Sequence, residues 1–454
     1  MSKFHYTKTE QEINNVLKYQ RDKLDAISFP DNKEIDKRIK ESEALLKNLG
    51  ISLPDRNTKS TAILPQGVAV VPTWDELCKE AESVVGNQCV LEDLFTEEEI
   101  KTNELYIRQL NREYNELHRL DKYDIGISAA AGLTASLVDI LMVGIPQKTP
   151  EGLKGGVLAN YVRDYFDKRF PEEEMQRLAN SKVSKVPYDA QDNRNTTQYV
   201  EGLSTYYHRL LSLGHDPLLG LVIGVADIMS GSMTTIDKTG KIITQIMPGY
   251  ADRTEKDLFL AIAKQIIHFK SDITTSMGLP APLMGLFNLL QLGNIGEEEQ
   301  TIAEIVQGMY YEGYDFIHFC SLSIPVMIAE VIVRIGYAVK RIKEGHSIKE
   351  SIPLSTNHEK HPKLGTMLFV GHSAAVAVNA GKVYFTKNPM AINYPQWMAF
   401  GKYSYQQLKW GLIDKPEARK AYVDGILNDQ LTDVFYSVDR TFYSYFDHYV
   451  VVMS

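Results

Sequence analysis

With 454 residues, 44% hydrophobic and 24% charged, the chain has the composition of a globular protein large enough for two or three domains. Its slightly negative mean hydropathy excludes a polytopic transporter in which most residues face lipid. A net charge of −9 excludes a general nucleic-acid surface and weakens simple electrostatic docking onto anionic lipid.

The N-terminal part is polar and helical. Ile13, Leu17, Leu24 and Ile27, with the polar Gln20 between them, form one face of an amphipathic helix. Ile35, Ile39, Leu46 and Leu49 make a second stripe, stopped by Gly50, and Phe29 to Asn32 is a turn between the two. Residues 1–60 therefore read as a helical arm. Residues 61–120 read as a linker followed by a long amphipathic helix. Gly67 to Val71 has the makeup of a lone strand. Thr73 with Glu76, and Thr96 with Glu99, have capping-box spacing, so helices are expected to begin at both.

Residues 121–350 read as an apolar helical core. Ile125 to Pro146 and Pro217 to Ile236 are long apolar stretches rich in glycine and alanine, each with a single charge, Asp139 and Asp227. Such stretches are expected to form helices that pack backbone to backbone, inside protein or inside lipid. Gly126, Gly132, Gly220 and Gly224 are the candidate contact points, and Asp139 and Asp227 the candidate switch residues. An aspartate at a bilayer centre costs about 2.5–3.5 kcal/mol, so both suit a partner inside folded protein better. Ser181 to Thr197 is a polar loop, Asp237 to Gly240 a turn, and Tyr314 to Arg341 an apolar helix containing Pro325. Residues 351–454 form a C-terminal helical region, with an alanine-rich helix over Gly365 to Tyr384. The fold class is all-α: a large multi-helix bundle with central small-residue-rich helices and a helical N-terminal arm.

Motifs for chemistry are sparse. His208, His215 and Asp216 form a candidate polar pocket to which Asp139 could add. The simpler account of Asp216 is a helix cap ahead of Pro217. His358 and His361 sit in a polar loop without metal-motif spacing. Gly371-His372-Ser373 is half of a nucleophile elbow, lacking the closing glycine. Asp315, His318 and Glu330 put polar groups on an otherwise apolar helix. Three scattered cysteines, Cys78, Cys89 and Cys320, give no zinc spacing and suit a reducing compartment. No catalytic motif, metal or cofactor is expected on these grounds. The N-terminus lacks the apolar core of a signal peptide, so a cytoplasmic location is expected.

The segments LSLGHDPLLGLVIGVADIMSG, YEGYDFIHFCSLSIPVMIAEVIVRIGY and HPKLGTMLFVGHSAAVAVNAGKVYFTKNPMAINYPQWMAF resemble a family of uncharacterised helical proteins from gut-type anaerobic bacteria. In that family a segment similar to Lys122 to Pro146 precedes a helix start like His215-Asp216-Pro217. The likeness spans Lys122 to Gly401. It implies a bacterial cytoplasmic origin among mobile or accessory genes and carries over no catalytic residue.

The resulting expectation is a non-enzymatic accessory or effector protein that associates with membrane lipid, or with itself, through its Gly/Ala-rich hairpins. One alternative is an enzyme with a polar, metal-capable pocket inside a soluble bundle. Another is an interaction scaffold that meets a protein partner or a second copy through the N-terminal arm. Nucleic acid is not an expected partner.

Overall fold

In the computed structural model, which describes residues 5–26, 32–48, 67–86, 89–149, 152–275, 277–295, 299–446 and 449–453, the described residues form sixteen α-helices and three two-stranded ladders. The fold is all-α. In chain order come α1 (Lys8–Ala26), α2 (Asn32–Asn48), β1 (Gly67–Val71), α3 (Trp74–Val85) and α4 (Glu97–His118). Next are α5 (Lys122–Val138), β2 (Gln147–Thr149), β3 (Gly152–Lys154), α6 (Val157–Arg169), α7 (Glu172–Ala179), α8 (His208–Leu211) and α9 (Ile223–Ser230). β4 (Ser232–Ile236), β5 (Ile242–Ile246), α10 (Leu258–Asp272), α11 (Ile302–Tyr311), α12 (Phe316–Lys343) and α13 (Ile348–Ser351) follow. α14 (Leu364–Thr386), α15 (Tyr394–Lys409), α16 (Lys415–Phe446) and β6 (Tyr449–Met453) come last.

Local chemistry explains several starts. The Thr73 hydroxyl accepts from the Glu76 amide while the Glu76 carboxylate accepts from the Thr73 amide, and Thr96 with Glu99 does the same. Ser347 and Glu350 repeat the device and nucleate α13, one helical turn inside the segment Gly345 to Lys363 that sequence composition reads as loop.

The chain divides into two compact units, Met1–Glu116 with Pro416–Ser454, and Leu117–Lys415. Within the first, α1 is not a free arm. Val16 and Tyr19 pack with Ala81 of α3, and Arg21 Nη2 donates to both carboxylate oxygens of Glu99 at 2.7 and 2.9 Å. β1 pairs in parallel with β6, from Gly67 with Tyr449 to Val71 with Met453, so the strand expected to be alone has a partner. The turn at Phe29 to Asp31, the stop at Gly50 and the linker over Pro54 to Gln66 lie outside the described residues.

In the second unit, α5, α12, α14 and α15 enclose a core that includes Ala131, Val333, Tyr337, Leu368 and Tyr403. α5 and α14 cross closely at Gly132, where an added Cβ would stand 2.3 Å from the Gly371 carbonyl oxygen. Gly126 differs from the expectation: a Cβ there meets nothing within 4 Å, so it is not a contact glycine. The first apolar stretch is helical, and α5 widens into a π turn over Asp139–Val143.

The second apolar stretch corrects the expectation of one long helix. It forms a single 3-10 turn at Leu219–Leu221, then the two-turn helix α9, then strand β4. Gly231 adopts φ 72° and ends α9, and the β-branched run Thr234-Thr235-Ile236 pairs with β5 instead. Asp237 closes that hairpin by accepting from the Thr239 and Lys241 amides. Three helical stretches, Glu97–Val143, Phe316–Lys343 and Leu364–Thr386, are long and apolar enough to cross a membrane.

Candidate metal centre

Five ionisable side chains from three separate segments converge inside the second unit. Asp189 lies on the loop after α7, His208 opens α8, His215 closes the next tight turn, and His268 and Asp272 stand one helical turn apart on α10. The i, i+4 spacing on α10 puts the last two on one face. Glycine and glutamine chemistry seats His215. A Cβ on Gly214 would lie 2.6 Å from the Tyr188 ring, and the Gln265 amide nitrogen donates to the Gly214 carbonyl at 2.8 Å. Gln265 in turn accepts from the Tyr188 hydroxyl.

Distances and hydrogen bonding distinguish this cluster from an ordinary polar core. Asp189 Oδ1 is 3.5 Å from both His208 Nε2 and His215 Nε2. Asp272 Oδ2 is 3.5 Å from His268 Nε2 and 3.8 Å from His215 Nε2. These gaps are long for hydrogen bonds. His208 Nε2, both ring nitrogens of His215, His268 Nε2 and Asp272 Oδ2 are buried and make no hydrogen bond. Leaving such groups unpaired costs about 1–3 kcal/mol each.

The tautomers follow from the partners. His208 Nδ1 is 2.9 Å from the Thr205 carbonyl oxygen, and His268 Nδ1 is 2.9 Å from that of Ser184. A carbonyl only accepts, so in each ring Nδ1 carries a hydrogen and Nε2 is the nitrogen that faces the cluster. This backbone-anchored arrangement is the usual outer support of a metal-binding histidine. The donor atoms fall into two sets of three that share His215, one with Asp189 and His208 and one with His268 and Asp272, each within 4.8 Å; donors that share one ion at about 2.0–2.1 Å sit about 3.0–3.4 Å apart.

Electrostatics point the same way. Burial pushes His215 down to about 4, against the pull of Asp189, so the ring is neutral at pH 7 and keeps a lone pair. Burial acts to raise the Asp189 carboxyl, but the His208 and His215 imidazoles outweigh it and hold the group well below the usual carboxylate range. Arg209 braces Asp272, with Nη2 3.2 Å from Oδ1 and Nε 3.1 Å from Oδ2, and reaches Thr275 and the Gly278 carbonyl with its other nitrogen. With 27% of its side chain exposed, Asp189 is the one member of the cluster that meets solvent appreciably.

The other sequence candidates lie elsewhere. Asp216 does not join the cluster: Oδ1 accepts from the Leu218 and Leu219 amides and Oδ2 from that of Leu283, the cap its position suggested. Asp227 accepts from the Ser232 hydroxyl and from the amide and hydroxyl of Thr234. Asp139 pairs with Lys382 at 3.1 Å and Asn379 at 3.4 Å, on the α14 side of the unit. Gly220 and Gly224 both abut Gln265, so they shape the wall behind His215. The absence of a metal motif around His208 and His215 is a statement about neighbouring residues, and the fold adds Asp189, His268 and Asp272 from far along the chain. His268-x-x-x-Asp272 inside the apolar, periodic AIAKQIIHFKSDI was the readable signal for two of them. Among known proteins, the chain matches no family model, no curated protein and no solved structure.

Proposed function

We propose that the chain is a metal-dependent enzyme whose donors are Asp189, His208, His215, His268 and Asp272, arranged as two sets of three that meet at His215. The observation that carries this reading is the convergence of buried imidazole nitrogens that make no hydrogen bond, beside two carboxylates, with two of the three rings anchored through Nδ1 to backbone carbonyls. A mixed imidazole–carboxylate set without thiolate is typical of catalytic rather than structural sites for zinc, iron or manganese. An ion so held supplies Lewis-acid activation of water, so hydrolysis of an ester or phosphoester is the reaction class. Asp189, on the solvent side, stands where substrate enters. His208 and His268 keep fixed ring orientations, and Arg209 offsets part of the carboxylate charge.

The test is elemental analysis of the purified full-length chain with a hydrolysis assay on p-nitrophenyl ester and phosphodiester substrates. About one equivalent of transition metal is expected, with activity removed by chelation and restored by the metal. A wild-type protein that carries no metal and gains no thermal stability from added zinc, manganese or iron overturns the proposal.

A second reading, membrane association, is supported by outward-facing apolar stripes. Met327, Val331, Ile335 and Val339 recur every fourth residue on α12, and Leu133 and Leu137 on α5 continue to Leu141 in the π turn that follows it, all exposed. The polar residues of mid-α12 turn away from that stripe, since Glu330 accepts from the Tyr403 hydroxyl and Arg334 donates to the Pro353 carbonyl. Co-flotation with bacterial-lipid liposomes that survives high salt is the expected result. Protein left wholly at the bottom, at neutral and mildly acidic pH, removes this reading.

A further inference from the structure

A second cavity, of about 1070 Å³, opens in the same unit between α11, the 3-10 turn Met284–Leu289, the C-terminal end of α14 and the start of α15. Its volume sits at the top of the range of about 300–1,000 Å³ usual for small-molecule sites. The walls are aliphatic and aromatic, including Ile302, Ile305, Val306 and Met309 on one side of the lining and Val383 and Ile392 among the rest. Two tyrosines line it, but their hydroxyls are already committed: Tyr314 donates to the Ile392 carbonyl at 2.8 Å and Tyr394 to the Pro282 carbonyl at 3.0 Å. That leaves Gln300 and Lys387 as the polar side chains able to meet a ligand.

Among the described residues of the lining, Lys387 is the one charge. It occupies the left-handed position that ends α14, with φ 55°, where glycine or asparagine is the common choice. Its ammonium stands 5.4 Å from the Tyr384 ring centroid and pairs with no carboxylate among the described residues. Tyr384 and Phe385 beside it, and Leu289, Leu292 and Ile295 on the facing segment, are exposed and give that neighbourhood an apolar surface. A polar small molecule would find no ring of donors here to orient it. An apolar chain would find walls along its length and one cation for its head.

We infer that this cavity binds a single long aliphatic chain carrying an anionic head, with the chain along the α11 wall and the head at Lys387. The turn that walls the cavity packs against the segment that carries His208 and His215, since the Leu283 amide donates to Asp216 and a Cβ on Gly285 would lie 2.7 Å from the Leu210 carbonyl oxygen. The inference nevertheless stands apart from the metal. Binding is expected to be the same in chelated protein and in His215→Ala.

The experiment is equilibrium binding of oleate to the full-length chain, with oleyl alcohol as the uncharged probe and phosphatidylglycerol vesicles as the lipid-borne source. Oleate is expected to bind at about one equivalent. Val306→Trp, which puts an indole on the α11 wall where the chain is placed, is expected to weaken it at least about tenfold with the fold retained by circular dichroism. Lys387→Glu, an exposed change that cannot disturb the core, is expected to weaken oleate about fivefold and leave oleyl alcohol unchanged. Uptake of the chain from vesicles as well as from free oleate makes the source a membrane; uptake from free oleate alone makes it a soluble long-chain carboxylate. No oleate binding to the wild type, or oleate binding unchanged in Lys387→Glu, overturns the inference.

Discussion

Two buried polar regions of the Leu117–Lys415 unit, close in sequence, are built on opposite terms. Around Asp227, every donor has its acceptor: one hydroxyl from Ser232 and the amide and hydroxyl of Thr234 converge on the carboxylate where α9 turns into β4. Around His215, the ring nitrogens of three histidines and one oxygen of Asp272 face one another with no hydrogen bond between them. Burial is equal in the two places, and so is its cost to a polar group. The first region is a self-sufficient joint. The second makes physical sense when something from outside the chain completes it.

Mutation and metal removal separate the two regions. The largest effect is expected from His215→Ala, which should lower bound metal more than the roughly 10–100-fold typical of outer-support changes and abolish hydrolysis, read by elemental analysis and the p-nitrophenyl assays. In chelated protein the same site should behave in reverse: His215→Leu is expected to keep or raise the melting temperature, because it removes unanswered polar atoms. A marked loss there would mean that the histidine is answered within the chain. Asp227→Ala should cost about 2–4 kcal/mol, since it strands the Ser232 and Thr234 donors, and denaturant unfolding should show this with metal content unchanged. Next comes chelation of the wild type. At metal levels about a hundredfold above the dissociation constant, linkage supplies about 2.7 kcal/mol, a fall of about 4 °C for a unit of this size on removal. The smallest effect is expected from Arg209→Lys, which keeps the charge beside Asp272 but loses the planar fork. About tenfold weaker metal binding, measured by competition with a chromogenic chelator, is the expected outcome.

The α5–α14 crossing offers a similar contrast. Gly132 has a backbone oxygen where its Cβ would be, whereas Gly126, six residues earlier on the same helix, has open space. Both lie in one small-residue stretch and look alike in sequence. Which glycine is a contact depends on the direction each presents to α14, and a helix reveals that direction only once its partner is placed.

The all-α class, several helix starts and the local caps were legible in the sequence. Thr73 with Glu76, Thr96 with Glu99 and Asp216 ahead of Pro217 act over three or four residues, and their chemistry is complete within that span. The sequence also singled out His208 and His215, which stay neighbours through α8 and the turn after it. Only the tertiary structure decided that Pro217 to Ile236 breaks into a turn, a short helix and a strand, because β5 had to be there to pair with β4. Only the tertiary structure brought Asp189, His268 and Asp272 to those histidines, because a site made of donors from distant segments has no spacing of its own to read. Pairing and convergence are properties of the packed chain: they exist when burial has fixed which faces meet, and no local pattern encodes them.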